Sequence, residues 1–288
     1  MRRLDYILYA AVIFAWSTSW LPLKWQLGVV SPEVSLLWRF IISTVMMTLI
    51  TIAMGHSLKT PLKEHLKFFG LGICLFSMNF TLYYTAGLYT TSGLLAVVFA
   101  TASLVNIFFV AVLTRTPPKM MMIIAAIMGF VGVAMVYSPQ LQADENALTA
   151  LILCLIGTVF FCSGNMISQS SQNNRIPVMT ANSWGMFYGV LISASISLIR
   201  GHEFTIEMTM RYIGSLFWLA ILSSVLAFTA YLMLVGRIGS GKAGYATAIF
   251  PIGALFISAY FEDYQWSLIA IIGLALVVGG NVVMLRSK

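Results

Sequence analysis

Charge is what this chain has least of. Of its 288 residues, 9% are Asp, Glu, Lys or Arg, while 60% are hydrophobic and the mean hydropathy is +0.92. An ordinary soluble domain carries about 25% charged residues. So few charges cannot solvate the surface of a chain this long, which excludes a soluble enzyme, a secreted domain and a disordered chain. Cysteine is scarce too. Cys74, Cys154 and Cys162 fall inside apolar runs, an odd number without metal-site spacing, so neither a disulfide framework nor a thiolate metal site is expected. No acid is expected within the apolar runs, and His56, His65 and His202 lie between them. An intramembrane proton relay built from Asp, Glu or His is therefore missing. Gly236 to Lys242 has the glycine spacing of a phosphate loop, but Ala243 replaces the required hydroxyl and the flanks are apolar. Neither a His-Glu-x-x-His nor a Gly-x-Ser-x-Gly set occurs, so no enzyme and no cofactor are expected.

What the chain has is long apolar runs. A membrane helix needs about 20 mostly apolar residues. Ten such runs are predicted, at 4–23, 32–54, 67–89, 92–114, 119–137, 147–170, 178–199, 211–234, 241–261 and 265–285. They are too long and too continuously apolar for the strands of a membrane β-barrel. The connectors are too short for a separate domain, so residues 1–288 read as one all-α polytopic membrane domain. The first run lacks a small-residue cleavage site and reads as a retained span rather than a signal peptide.

With the N-terminus placed inside, 12 of the 16 Lys and Arg residues fall on the cytoplasmic side. Three fall outside, and Arg39 lies within a span. Basic residues favour the cytoplasm, so both termini are expected there, in the cytoplasmic (inner) membrane. The net charge of +7 is then a collar at the bilayer and not a nucleic-acid surface. The expected partners are the lipid bilayer and a small-molecule substrate; monomer and homodimer both stay open.

The chain also repeats itself. A shift of 145 residues pairs Pro32 with Pro177, and Trp16, Trp20 and Lys24 with Phe161, Asn165 and Gln169. A shift of 148 pairs Tyr83 with Tyr231, and Ser92, Ala96 and Ala100 with Ser240, Gly244 and Ala248. Small residues every four positions let helix backbones approach closely in lipid. Two halves, 4–137 and 147–285, follow. Five spans is an odd number, so the second half runs inverted, an architecture of secondary transporters with substrate near the bilayer midplane.

Trp16-Ser17-Thr18-Ser19-Trp20 with Lys24, Pro32 to Trp38-Arg39-Phe40, Ser92 to Ala96, Gly129 to Val133, Pro251, and Gly273 to Gly280 carry a family resemblance. The chain resembles the EamA type of the drug/metabolite transporter superfamily, including its aromatic amino-acid exporter branch. The resemblance implies a central cavity lined by spans one, three, four, six, eight and nine, with five and ten peripheral. It also implies export of small metabolites, amino acids among them; a multidrug exporter and a non-transporting receptor or scaffold are the alternatives. The chain departs from the family in having Ser103 opposite Pro251, so helix breaking is expected to be stronger in the ninth span than in the fourth.

Candidate substrate-binding residues follow from polarity at membrane depth. Arg39, costly in a membrane, asks for a partner or a watery cavity. It either holds a substrate carboxylate by paired hydrogen bonds or caps carbonyls or snorkels to the outer interface. Trp16 is expected to face the cavity, whereas Trp20 is expected to anchor at the interface. Asn79, Tyr83, Phe99, Ser103, Ser163, Asn165, Trp184, Tyr231 and Tyr245 are the further candidates, each readable instead as glue between helices. Gly244 and Pro251 are candidate hinges. The consecutive Met120, Met121 and Met122 point in different directions and hold no metal.

Overall fold

The computed structural model describes residues 3–113, 115–117, 119–143 and 145–286, and no strand occurs among them. Eight helical segments are long and apolar enough to cross a membrane. They are α1 (Arg3–Lys24), α2 (Pro32–Ala53), α3 (Leu62–Gly87), α4 (Ser92–Leu113), α5 (Met120–Ala143), α6 (Ala147–Asn173), α7 (Val178–Ile199) and α8 (Met210–Ile238). Two shorter apolar helices follow, α9 (Tyr245–Phe261) and α10 (Leu268–Arg286). The ninth run thus begins four residues later than expected. Gly239, at φ +82°, ends α8, and a short turn, Ser240–Ala243, precedes α9.

The third helix starts five residues before its predicted run. Pro61 precedes its first turn, and the buried Glu64 pairs with Lys67 and accepts a hydrogen bond from Asn174, just past the end of α6. The charges in 63–67 hid that turn from a search for apolar runs. Helix breaking is the reverse of expectation. Helix α4 is interrupted at Ala100-Thr101, whereas α9 runs unbroken through Pro251. Thr101 and Ser103 each donate a hydroxyl to a carbonyl three residues back, at 2.7 and 3.2 Å, which tightens the turn.

Packing follows the repeat. Helix α2 lies on α7, α4 on α9 and α5 on α10, each on the helix five places along; α3 packs on α6 as α8 packs on α1. Glycines permit the closest approaches. A Cβ at Gly132 of α5 would sit 2.5 Å from the carbonyl oxygen of Gly273 on α10, and one at Gly189 of α7 2.7 Å from Phe76 Cβ on α3. Wide π-helical turns interrupt α3 at Cys74–Met78 and α8 at Trp218–Ala227, overlapping under the 148-residue shift. Such turns are frequent at functional sites.

Large apolar side chains stand exposed around the outside, Leu49, Phe108, Ile127 and Leu198 among them. In water such a belt would aggregate; against lipid it is the solvated surface. This is a multi-pass membrane protein.

Candidate substrate cavity

Side chains from α1, α2, α3, α4 and α8 line a partly open pocket of about 40 Å³. Helix α1 supplies Trp16, Ser19, Trp20 and Leu23, reaching its wall through a break at Thr18-Ser19 where both hydroxyls bond back to the preceding turn. Trp20 is therefore part of the wall, not the interface anchor expected. It stacks on Phe250 and meets Tyr83 and Phe99 edge-on at 5.4 and 5.6 Å. Trp16 forms the floor, where its ring touches Phe99, Phe161, Phe228, Tyr231 and Phe250.

Arg39 sits in the wall, 1% exposed. It neither snorkels nor caps a carbonyl. Nε donates to Ser224 Oγ at 2.9 Å, Nη1 to the Tyr84 hydroxyl at 3.3 Å and Nη2 to Ser223 Oγ at 3.4 Å. The Phe80 ring lies 4.3 Å from Cζ, in reach for a cation–π contact. A guanidinium has five N–H donors, so one N–H remains on each Nη. The two Nη bonds are long and hence weak. The fork that would meet a carboxylate is the loosely held edge, while Nε fixes the group to α8. Among the described residues no carboxylate pairs with Arg39.

Asn79 follows the π turn of α3 and also lines the cavity; its Oδ1 has no hydrogen-bond partner among the described residues. Tyr83 turns its ring to the cavity and its hydroxyl to Thr158 of α6 at 2.6 Å. That approach depends on Gly157, where a Cβ would stand 3.0 Å from the Tyr83 ring.

Of the expected site residues, Trp16, Arg39, Asn79, Tyr83 and Phe99 come together here. Asn165 and Tyr231 lie beneath, hydrogen-bonded at 3.3 Å. Ser103 and Ser163 bond carbonyls of their own helices and stay outside. Trp184 is remote, donating to the Leu58 carbonyl and packing on His65, which in turn bonds Tyr188. The Tyr245 side chain lies outside the described residues. Gly244 has ordinary helical angles, so no special backbone freedom is required of it. Sequence reasoning missed Phe80, Leu219, Ser223, Ser224 and Phe228. Phe80 and Phe228 were findable, since the shift that pairs Tyr83 with Tyr231 also pairs them.

The two ends of the bundle are tied differently. Lys24 Nζ donates to the carbonyls of Gly87 and Thr90, and the Glu262 carboxylate accepts from the Ser92 amide and from the Ser92 and Ser258 hydroxyls. At the other end Arg237 pairs with buried Asp5 at 2.7 Å, and Tyr9 donates to the Lys242 carbonyl.

A lipid-facing helical bundle around a pocket with aromatic walls and the inward cation Arg39 defines a class: a membrane transporter. A model of the EamA-like transporter family matches residues 4–138 and again 148–286, and the chain belongs to that family. It is 24% identical to the "Uncharacterized transporter YoaV" of Bacillus subtilis over 94% of this chain and 92% of that one. It is 25% identical to "Uncharacterized transporter YvbV" of the same organism, over 94% and 88% of the two chains, and 20% identical to "Protein PagO" of Salmonella typhimurium, over 93% and 88%. A solved crystal structure shares the fold at a TM-score of 0.72 and 19% identity, over 98% of this chain and 96% of that one.

Proposed function

We propose that this transporter exports small metabolites, principally amino acids including aromatic ones, through alternating access without ATP. In this reading ten spans, formed by two inverted five-helix halves, place both termini in the cytoplasm. The observation that carries the substrate class is Arg39: a buried cation at a cavity wall, with a loosely held Nη edge and no neighbouring carboxylate. A substrate carboxylate completes its donors by charge-assisted, bidentate bonding. The Asn79 Oδ1 acceptor suits the substrate ammonium, and Trp16, Trp20, Phe99 and Phe228 suit an aromatic or aliphatic side chain.

Among the described residues no acid lines the cavity, and in this reading transport runs as facilitated diffusion or exchange rather than proton pumping. The test is uptake of a labelled amino-acid panel into proteoliposomes. Wild type is expected to carry carboxylate-bearing solutes down their gradients, and Arg39→Ala to lose them. Accumulation against a gradient under an imposed pH difference would overturn the passive reading. Equal flux of cationic, carboxylate-free drugs through wild type and variant would favour a multidrug exporter.

A further inference from the structure

Beyond the cavity floor lies a second polar group that the Arg39 site does not use. Along α1 the other lining residues come after Trp16, at Ser19, Trp20 and Leu23. Along α4 the chain runs the other way, and Asn106 comes seven residues, or about 10 Å, beyond Phe99. Along α8, Tyr231 comes three residues beyond Phe228, and its ring rests on Trp16 at 4.9 Å. Asn165 of α6 completes the group, donating through Nδ2 to Asn106 Oδ1 at 3.2 Å and to the Tyr231 hydroxyl at 3.3 Å. Both asparagines are 0% exposed.

This group is incompletely satisfied. Asn165 Oδ1, an acceptor, has no hydrogen-bond partner among the described residues, and Asn106 Nδ2, a donor, has only a loose contact with the Tyr231 hydroxyl. Leaving a buried polar atom unpaired costs about 1–3 kcal/mol, and amides meant only to join helices would not be expected to leave an acceptor bare and a donor loosely held. Flipping either amide exchanges the roles of O and N but does not supply a partner for both. The repeat adds a contrast: Tyr83, the counterpart of Tyr231, spends its hydroxyl on Thr158 and lines the main cavity.

We infer that Asn106, Asn165 and Tyr231 form a second, uncharged binding station on the far side of Trp16 from Arg39. It receives a solute group that both donates and accepts hydrogen bonds, such as the head of a zwitterion or a hydroxyl. Trp16 is then a shutter between a charged station and a neutral one. An exported solute then meets the weaker amide bonds first and passes Trp16 to the strong guanidinium bond on the outer side. The inference rests on the transport reading above.

Two experiments test it, and the first needs no substrate. In a chain with Cys74, Cys154 and Cys162 replaced by Ala, Asn165→Cys is treated in liposomes with a small cationic methanethiosulfonate. A station on the solute path is labelled, and faster when Trp16→Ala is added. A thiol that stays unreactive in both backgrounds overturns the proposal, whether or not any amino acid is carried.

The second compares wild type with the double variant Asn106→Leu/Asn165→Leu, using labelled L-phenylalanine. Removing both amides together avoids stranding either one. Flux is expected to fall about tenfold, the size of one lost buried hydrogen bond, with the thermal midpoint and affinity at the Arg39 cavity retained. Unchanged flux overturns the station, and so does a parallel loss of flux, affinity and thermal midpoint, which marks the amides as helix glue. If wild type carries no amino acid, the proposed substrate class fails while the labelling result still decides the station.

Discussion

Arg39 on α2 and Trp184 on α7 occupy equivalent positions in the two halves, 145 residues apart, yet they face different worlds. Arg39 is buried in the cavity wall and braced by Ser224, Tyr84 and Phe80. Trp184 turns to the helix end, where it donates to the Leu58 carbonyl and packs on His65. The backbone arrangement repeats, and the chemistry does not. Of these two equivalent positions only the first puts a charge in the cavity wall.

The comparison breaks most visibly at Arg39. Arg39→Ala is expected to reduce flux of a carboxylate substrate about 10- to 100-fold, the loss of one charge-assisted bond at about 1.5–3 kcal/mol. Arg39→Lys recovers part of it, since an ammonium keeps the charge but not the bidentate fork. Proteoliposome uptake checks both.

A Cβ at Gly132 would meet the Gly273 carbonyl of α10 at 2.5 Å. Gly132→Ala is therefore expected to destabilise the α5–α10 pair by about 1–3 kcal/mol. The thermal midpoint in detergent should fall, with flux per folded molecule preserved because neither helix lines the cavity. Trp184→Phe, the counterpart test, deletes the bond to the Leu58 carbonyl and trims the ring that packs on His65. It should cost about 1 kcal/mol of stability and leave binding unchanged, as read by a ligand titration. The smallest effect is expected at Ser163→Ala. Its hydroxyl serves only its own helix, at Val159, so both thermal midpoint and flux should match wild type.

The helical runs and several wall residues were legible because membrane helices announce themselves by length, and polar or aromatic groups within them are few. Asn79 and Tyr83 sit one turn apart on α3, and Trp16 lines the same pocket. The partners of Arg39 were not legible. Ser223 and Ser224 are a plain hydroxyl pair in an apolar run, the former 184 residues from Arg39, and only tertiary packing brings them together. Trp20 misled because an indole near a span end suits the interface as well as a cavity. Ser103 and Ser163 misled because a helical hydroxyl can satisfy itself on a carbonyl one turn back. The break in α4 followed from Thr101 and Ser103 acting in that way, with no proline to advertise it.

The account stands on Arg39 as the reader of a carboxylate. The direct measurement is a fluorescence titration, through Trp16 and Trp20 in the cavity, with L-phenylalanine and with phenethylamine, which lacks the carboxylate. Wild type is expected to bind the amino acid at least about tenfold more tightly, and Arg39→Ala to bring the two affinities close together. A preference for the amino acid that survives unchanged in Arg39→Ala would contradict the account.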